Sequence, residues 1–314
     1  MADITVVGSF VVDNVATMDR FPSEGETVLG NRLQIFLGGK GANQCVSAQR
    51  LGAKTSMIGM LGKDNNGLQF RDIFISEGID ISNVFETEEA FTGCAMVQID
   101  GKSQNRICVI PGANHCFGIE ELQRVEDTIS SSKIVLAQLE LLPEVTFQLI
   151  EMCHRHNVPI ILNPAPAIPI ASDILSKVFC LTPNETELSI LAESATDTIE
   201  EVAFACKKLY NIGVKCIVAT LGSRGAFIYD KDGARIVEAY KVKVVDTVAA
   251  GDSFNGALAV RLLEGASVDE AVKFANAMGA LTVQTKGAIP SLRNRHDVEK
   301  FIYDEKELTV DKVL

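Results

Sequence analysis

The sequence predicts an α/β protein with a mostly parallel sheet, helices on both faces of that sheet, and a small β-sheet lid. Three observations support this fold class. Short apolar runs alternate with helical patterns over much of the 314-residue chain, which is typical of βαβ units. Two groups of segments with alternating apolar and polar residues interrupt that order. The sequence contains no linker-like or low-complexity stretch that would divide the main domain.

The first predicted strand, Ile4–Val7, is an apolar run that Gly8 and Ser9 terminate. Groups just beyond the carboxyl ends of strands line the ligand crevice of α/β sheets. Asp13 is therefore a candidate for binding hydroxyl groups. A solvated turn carboxylate is the alternative for the bare residue.

The lid is predicted from segments whose polarity has a period of two. Residues 27–36, 92–99 and 105–110 have this pattern, and a turn at 100–101 joins the last two. We predict that residues 13–38 and 91–111 form a lid that excludes water from a reacting centre. Residues 1–12, 39–90 and 112–314 would form the α/β domain. An extension of the main sheet is the alternative for the lid segments.

A glycine-rich turn, GGKGANQ at 38–44, precedes a helical pattern at residues 45–51. Glycine lets a backbone approach a ligand closely, and Lys40 and Asn43 add polar groups. The chain has neither GxxxxGK[ST] nor GxGxxG, which excludes the P-loop and the dinucleotide-binding fingerprint. A plain helix start is equally compatible with this turn.

Strands and helices alternate through the middle of the chain. Strands are predicted at residues 55–60, 134–139, 159–162 and 178–181, and helices at 66–76 and 144–156. Right-handed βαβ connections place such strands parallel to one another. Glu140 and Asn163 each follow a strand, so both are expected at the carboxyl edge of the sheet.

The polar run TPNETE at 182–187 opens a helix. Asn184 and Glu187 have nearly the spacing of a capping box. As hard oxygen donors they are also candidates to face a nucleotide phosphate and its Mg²⁺ through water. The turn TLGSRG at 220–225 follows a strand predicted at 216–219 and is placed to cover a nucleotide.

The run DTVAAGD at 246–252 lies between a strand predicted at 240–245 and a helix that starts near Asp252. Residues 249–251 carry little bulk, so their N–H groups and the helix dipole favour an anion. Asp252 beside this anion hole is a candidate general base that accepts the proton of an attacking hydroxyl. An N-cap is the alternative. A later helix, predicted at 269–284, ends in a turn that can return beside Asp246.

Composition narrows the class of partner. The chain has 41 acidic and 29 basic residues and a net charge of −12, which argues against nucleic acid or an anionic membrane. Its eight cysteines form no CxxC pair and mostly lie in apolar runs, so we expect buried, reduced thiols. Neither a membrane-spanning run nor a signal-peptide pattern is present, and a cytoplasmic protein is expected.

The chain resembles the ribokinase branch of the phosphofructokinase-B (PfkB) carbohydrate kinase family over essentially its whole length. GGKGANQ at 38–44 and DTVAAGD at 246–252 match the two family signatures. NPAPA at 163–167, NETE at 184–187 and TLGSRG at 220–225 match the ribokinase branch, in order and spacing. The resemblance implies a three-layer α/β domain with a β-sheet lid, a homodimer formed through the lid, and MgATP-dependent phosphorylation of the 5-hydroxyl of ribose.

The resemblance also implies a role for each matching position. Asp252 would be the base, and the anion hole would consist of Ala249, Ala250 and Gly251 with the backbone of Asp252. The sugar would be held by Asp13, Gly39, Lys40, Asn43, Glu140 and Asp252. ATP and Mg²⁺ would be bound by Asn184, Glu187, Thr220, Gly222, Ser223 and Gly225, with Asn276 near the adenine. An activating monovalent cation, usually K⁺, would bind at Asp246, the Val248 carbonyl, Thr282, Thr285, Gly287 and Ser291.

One departure from the family pattern concerns the sugar. Bacterial members of this branch have Asn two residues before the pocket aspartate, where this chain has Val11. One lost hydrogen bond to a neutral partner costs about 0.5–1.5 kcal/mol, so activity should survive while sugar selectivity stays open. The alternative acceptors are deoxyribose, another pentose, a hexose or a nucleoside. A catalytically silent sugar or nucleotide sensor is an alternative of another class.

Overall fold

The computed structural model describes residues 2–102, 104–305 and 310–312. In this part of the chain the strands are β1 (Ile4–Val7), β2 (Val11–Thr17), β3 (Arg32–Gly38), β4 (Thr55–Gly62), β5 (Asp80–Thr87), β6 (Cys94–Ile99), β7 (Asn105–Ile110), β8 (Ile134–Ala137), β9 (Ile160–Leu162), β10 (Cys180–Leu181), β11 (Cys216–Thr220), β12 (Ala226–Asp230), β13 (Gly233–Val237) and β14 (Val310–Lys312). The helices are α1 (Lys40–Arg50), α2 (Asn65–Ser76), α3 (Ile119–Arg124), α4 (Glu126–Ser130), α5 (Pro143–Arg155), α6 (Ser172–Leu175), α7 (Glu185–Ala192), α8 (Ile199–Asn211), α9 (Ala250–Leu263), α10 (Val268–Thr282) and α11 (Arg295–Asp304).

Ten strands form the main sheet, in the order β14-β13-β12-β11-β10-β9-β8-β1-β4-β5. Seven neighbouring strands run parallel, in the order β11-β10-β9-β8-β1-β4-β5, and β12, β13 and β14 add antiparallel pairs at one edge. The mostly parallel sheet that the sequence predicts is therefore confirmed. Because parallel strands end at the same edge, the loops after β1, β8, β9, β10 and β11 converge there.

Helices cover both faces of the sheet and complete three layers. Side chains alternate along each strand, so Ile4 and Val6 pack in one apolar cluster and Val7 in the other. The first cluster takes in α1, α2, α9 and α10, and the second takes in α5, α7 and α8. None of the described helices is long and apolar enough to cross a membrane.

The small lid is a separate sheet, as predicted, with the order β3-β2-β6-β7. Strands β2 and β6 are parallel, and the two outer pairs are antiparallel. Register places Ile35 opposite Asn14 and Asn14 opposite Met96, so these side chains share one face. Leu33, two residues before Ile35, lies on the same face. Leu33, Ile35 and Met96 are each more than half exposed, which leaves an apolar surface on this face of the lid.

Two predicted strands are corrected by the structure. Residues 240–245 form no strand, because the N–H groups of Val245 and Asp246 both bond the carbonyl of Val283 at the end of α10 (2.8 and 3.1 Å). The segment is thus tied to a helix and joins neither sheet. The lid strand predicted to begin at residue 27 begins at Arg32, and Leu29 is 91% exposed. Helix α1 starts inside the glycine-rich turn, at Lys40, because the N–H groups of Lys40 and Ala42 donate to Oε2 of Glu140 and to the carbonyl of Ser9 on neighbouring loops.

The cysteines are free thiols, and five of the eight are buried. The expectation of burial is wrong for Cys108, which lies on the exposed strand β7. Cys94 and Cys116 are half-buried. The alternating pattern of the lid explains the exposure of Cys108, because this residue lies opposite Met96 on the uncovered face of the lid sheet.

Candidate active site

The glycine-rich turn positions α1 at the carboxyl edge of the main sheet. Gly39 has φ +90°, and a Cβ there would lie 2.6 Å from the backbone nitrogen of Val11, so only glycine fits. The N–H of Lys40 donates to Oε2 of Glu140 at 3.0 Å, and the hydroxyl of Ser9 donates to the same oxygen. The loops after β1 and β8 are thereby joined to the start of α1.

Asp252 lies in the first turn of α9 and is buried. Its Oδ2 accepts a hydrogen bond from Nδ2 of Asn43 at 2.8 Å, and its Oδ1 accepts one from Nε2 of Gln44 at 3.3 Å. Both partners come from α1. The two helices approach closely at Gly256, where a Cβ would lie 2.6 Å from the side chain of Ser47. The two sequence signatures thus meet at one carboxylate.

Four carboxylates surround the ammonium group of Lys40. Burial alone would lower the pKa of Lys40, but Asp252, Glu140, Glu187 and Asp13 together raise it. Burial raises the pKa of Asp252, against the opposing charge of Lys40 and the hydrogen bonds from Asn43 and Gln44. Lys40 is therefore the cation that makes this concentration of negative charge tolerable.

Asp13 lies within lid strand β2 and not in a loop after β1. Its Oδ2 lies 3.2 Å from where a Cβ on Gly38 would be, which places it against the glycine-rich turn. Burial, helped by the charges of Glu140 and Asp252, raises the pKa of Asp13 to about 6. The solvated turn carboxylate that the bare residue allowed is excluded by this burial.

The start of α9 has the features expected of an anion hole. Ala249, the residue before the helix, has φ +61°, an unusual conformation for a residue with a Cβ. The N–H groups of Gly251 and Asp252 have no acceptor among the described residues. Free N–H groups at a helix N-terminus bind anions, and the helix dipole favours negative charge there.

Two cavities meet at this helix terminus. The larger, of about 650 Å³, has mostly apolar walls and includes five residues predicted to bind the nucleotide, namely Thr220, Gly222, Ser223, Gly225 and Asn276. The smaller, of about 230 Å³, is lined by Lys40, Asn184, Glu187, Ala249 and Asp252 among others. Thr220, Thr247, Ala250 and Gly251 line both. A ligand spanning the two cavities would pass directly over the anion hole.

Asn184 and Glu187 form the capping box of α7 and also line the smaller cavity. Oδ1 of Asn184 accepts from the N–H of Glu187, and Oε2 of Glu187 accepts from the N–H of Asn184, both at 2.8 Å. Burial raises the pKa of Glu187. The two interpretations of this motif are therefore compatible, since the cap fixes two oxygen-bearing side chains at the cavity wall.

The amide of Asn276 is engaged with the wall of the larger cavity. Its Nδ2 donates to the carbonyls of Val237 and Glu238, at 3.0 and 3.1 Å. These bonds fix the chain where it leaves β13 and turns into the segment at 239–244, part of which lines the cavity. Asn276 thus lies where an adenine contact was predicted, with its nitrogen already committed to the protein.

The predicted cation residues fall on two loops that the structure joins. Oδ1 of Asp246 accepts from the N–H of Val248 at 3.1 Å, and its Oδ2 accepts from the N–H of Gly287 at 3.0 Å. Thr282 and Ser291 are fully buried, and their hydroxyls donate to the carbonyls of Met278 and Ala288. The Thr285 hydroxyl accepts from Arg293. The side chain of Asp246 therefore links the two segments directly.

Sequence reasoning assigned no role to several polar side chains around Asp252. They are Gln44, Gln138, Asn163, Thr182 and Asn255, and all are buried. Gln44 and Asn163 belong to motifs that the sequence singled out, but their type alone does not indicate which neighbour each contacts. Those contacts depend on where α1, β8, β9 and α9 meet.

Comparison with known proteins agrees with this geometry. Residues 1–295 match the family described as pfkB family carbohydrate kinase. The ribokinase of Haemophilus influenzae is 36% identical over 299 residues, which cover 95% of this chain and 98% of that protein. The deoxyribokinase of Salmonella typhi is 33% identical over 91% of this chain and 94% of its own length. The solved structure of Arabidopsis thaliana ribokinase complexed with ribose and ATP has a TM-score of 0.90, with 32% identity over 97% of this chain and 99% of that one.

Proposed function

The chain belongs to the pfkB family of carbohydrate kinases, and on that premise we propose that it phosphorylates the 5-hydroxyl of D-ribose with ATP. The observation that carries the proposal is the meeting of two cavities at the anion hole beside Asp252. The apolar cavity is large enough for a nucleoside. The polar side chains that join α1, β2 and β8 supply acceptors and donors for sugar hydroxyls.

The reaction follows from the positions of these groups. The 5-oxygen of the sugar attacks the γ-phosphorus of ATP while the bond from that phosphorus to the bridging oxygen of ADP breaks. The proton of the hydroxyl passes to the carboxylate of Asp252. The N–H groups of Gly251 and Asp252 hold the oxygens of the transferring phosphoryl group. Such catalysis consists mainly of positioning and electrostatic stabilisation.

We infer that Mg²⁺ accompanies the nucleotide. Asn184 and Glu187 are hard oxygen donors at the wall of the smaller cavity, as Mg²⁺ prefers. Burial raises the pKa of Glu187, and a bound cation would oppose that effect by favouring the ionised form. When bound, the ion would neutralise charge on the triphosphate.

We further infer that a monovalent cation, K⁺ by preference, binds between the loops that Asp246 joins. The donor set is a carboxylate with carbonyl and hydroxyl oxygens from Val248, Thr282, Thr285, Gly287 and Ser291. Val248 immediately precedes the anion-hole residues, so an ion there would stabilise the shape of that turn. This role is activation and not catalysis.

The proposal extends to assembly and location. The exposed apolar face of the lid, formed by Leu33, Ile35 and Met96, is a suitable interface for the lid of a second copy. We propose a homodimer through this face. The free thiols fit a reducing compartment, and we place the enzyme in the cytoplasm.

The test is an assay of ADP release with MgATP over a panel of sugars, with and without K⁺. We expect ribose to give the highest kcat/KM and K⁺ to raise the rate. If no sugar or nucleoside of the panel caused ADP release, the result would instead support a silent sensor. A preference for hexoses or nucleosides would keep the reaction and overturn the assigned acceptor.

Deoxyribose is the second candidate acceptor, and Val11 favours it. Val11 is 5% exposed at the start of β2 and carries no polar atom for a sugar hydroxyl. An acceptor that lacks the hydroxyl facing Val11 would lose less binding free energy there than ribose does. Equal or higher kcat/KM with deoxyribose would establish this alternative.

A further inference from the structure

We propose that Gln44 is a positioning residue for phosphoryl transfer, which holds the carboxylate of Asp252 in its proton-accepting orientation. The inference rests on the proposed function and adds a residue to its machinery. Gln44 touches Asp252 and lies behind it, on the side of β8 and β9. It is fully buried, so its hydrogen bonds are made with protein groups and not with bulk water.

The contacts of Gln44 use both ends of its amide. Its Nε2 donates to Oδ1 of Asp252 at 3.3 Å and to Oδ1 of Asn163 at 3.1 Å. Its Oε1 accepts from Nε2 of Gln138 at 2.7 Å. With Asn43 on Oδ2, each oxygen of Asp252 then has one side-chain donor from α1. This arrangement fixes the plane of the carboxylate.

A backbone carbonyl fixes the direction of these amides. The carbonyl of Thr182 can only accept, and it accepts from Nδ2 of Asn163 at 3.1 Å. Oδ1 of Asn163 must therefore face Gln44 and requires a donor there. The NH₂ group of Gln44 meets that requirement and faces Asp252 at the same time. Reversing the Gln44 amide would place its oxygen against both the carboxylate and Oδ1 of Asn163.

The side chain of Gln138, at the other end of this series of hydrogen bonds, is also fixed by its surroundings. Gln138 is 1% exposed, and its Oε1 has no partner among the described residues. A Cβ at Gly8 would lie 2.1 Å from that oxygen, so the glycine at the end of β1 provides the room for this side chain. A buried amide that leaves one oxygen unpaired costs stability. We attribute its presence to the donor that it supplies to Gln44.

A parallel branch from Thr182 reaches the anion hole. The Thr182 hydroxyl donates to Oδ1 of Asn255 at 2.6 Å, and Nδ2 of Asn255 donates to the carbonyl of Gly251 at 2.9 Å. Thr182 therefore lies at the junction of two paths, one toward the base and one toward the phosphate-binding turn. Thr182, which follows strand β10, therefore helps to fix the position of Asp252 relative to that turn.

The test compares Gln44→Leu and Gln138→Leu with the wild type. We expect Gln44→Leu to lower kcat about 10–100-fold, the effect of one hydrogen bond to a charged group, with the sugar KM changed less than about threefold. The acid limb of the kcat profile should move to higher pH by about one unit or less, because a donor to the carboxylate is lost. Lys40, Asp13, Glu140 and Glu187 also interact electrostatically with Asp252 and remain in both variants. Gln138→Leu should also lower kcat and move the acid limb to higher pH, and both effects should be smaller than those of Gln44→Leu.

The matched control is Gln49→Leu on the same helix. Gln49 accepts from the N–H and hydroxyl of Thr55 and has no contact with Asp252. Its loss should lower the melting temperature and leave kcat and the pH profile unchanged. If Gln44→Leu behaves like this control, with kcat falling only as the folded fraction falls, the positioning role is wrong.

A readout without turnover separates this inference from the proposed function. The carboxyl carbons of ¹³C-labelled aspartate report ionisation by NMR, and Asp252→Asn identifies the signal of Asp252. Gln44→Leu should raise its titration midpoint, and an unchanged midpoint would contradict the inference. If the wild type were inactive while Gln44→Leu still raised the titration midpoint of Asp252, the proposed function alone would be overturned.

Discussion

Asp252 is buried and Asp13 is half-buried, and both are carboxylates near Lys40, yet their surroundings suit them to different tasks. Asp252 has two amide donors and lies at the anion hole. Asp13 lies in the lid strand, and no hydrogen bond to it appears among the described residues. The surroundings of Asp252 suit it to accept a proton, and those of Asp13 suit it to bind a ligand.

Asp252→Asn tests the assignment of the base. The amide is nearly isosteric but does not take up a proton, so kcat should fall about 10²–10⁴-fold. Ribose binding, measured by calorimetry, should change by much less. An Asn variant that turns over at the wild-type rate would defeat the assignment.

The raised pKa of Asp13 predicts that replacing its carboxylate changes protein stability and sugar binding in opposite directions. Its pKa is raised to about 6 in the folded protein from 3.8, so the folded state favours the protonated form. Its contribution to the free energy of unfolding is fully present below pH ~4 and is lost as pH rises to ~6. Asp13→Asn should therefore stabilise the ligand-free protein at pH 8 by on the order of 1–3 kcal/mol, measured by urea unfolding.

The same substitution should weaken sugar binding at pH 8. The wild type should itself lose sugar affinity as pH falls through ~6, because the protonated carboxyl is a weaker acceptor. A destabilised Asn variant, or ribose affinity that is constant between pH 5 and 8 in the wild type, would contradict this account.

At the scale of elements, the contact between α1 and α9 brings the two signatures together. A Cβ at Gly256 would lie 2.6 Å from the side chain of Ser47 and 2.9 Å from the carbonyl oxygen of Gln44. The close approach lets Asn43 and Gln44 reach Asp252. Glycine in the interior of a helix costs up to about 1 kcal/mol relative to alanine.

Gly256→Ala should push these helices apart. We expect overpacking to destabilise the protein by about 1–3 kcal/mol and kcat to fall as Asn43 and Gln44 withdraw from Asp252. Adding Ser47→Gly should restore part of the lost stability, measured by unfolding, and part of the lost kcat, measured by ADP release. Wild-type stability and rate in the single variant would show that the helices tolerate the methyl group.

Elements were predicted well where periodicity decides them and poorly where tertiary contacts do. Strand β7, at Asn105–Ile110, was predicted with its observed bounds because its alternation is regular. The strand predicted at residues 240–245 has a similar apolar content, yet the carbonyl of Val283 takes the N–H groups that a neighbouring strand would have used. Sequence cannot show that competition.

For the whole molecule, the order of five short motifs indicated the fold and the general place of the site. The structure places each predicted nucleotide residue at one of two adjoining cavities. The amide contacts of Gln44 and Gln138 were not predictable, because they join strands and helices far apart in sequence. Their geometry exists only once the sheet is assembled.

The proposed pairing of lids belongs to the scale of the whole molecule, and substitutions on one face of the lid test it. Leu33→Glu with Ile35→Glu places two charges on the exposed apolar face of β3, which should weaken dimer association by roughly 100-fold or more. Sedimentation equilibrium measures this directly. Leu68→Glu on α2, equally exposed, is the matched control and should leave the dimer intact. A monomeric wild type would refute the dimer.

The hydrogen bond between Asn43 and Asp252 joins residues 209 positions apart. A ribosome that adds about 5–20 residues per second needs about 10–40 s to go from one to the other. During that interval the emerging polypeptide carries its glycine-rich turn without Asp252, so it lacks the proposed base and cannot phosphorylate a sugar. Enzymatic competence therefore arrives late in synthesis, after most of the sheet has left the exit tunnel.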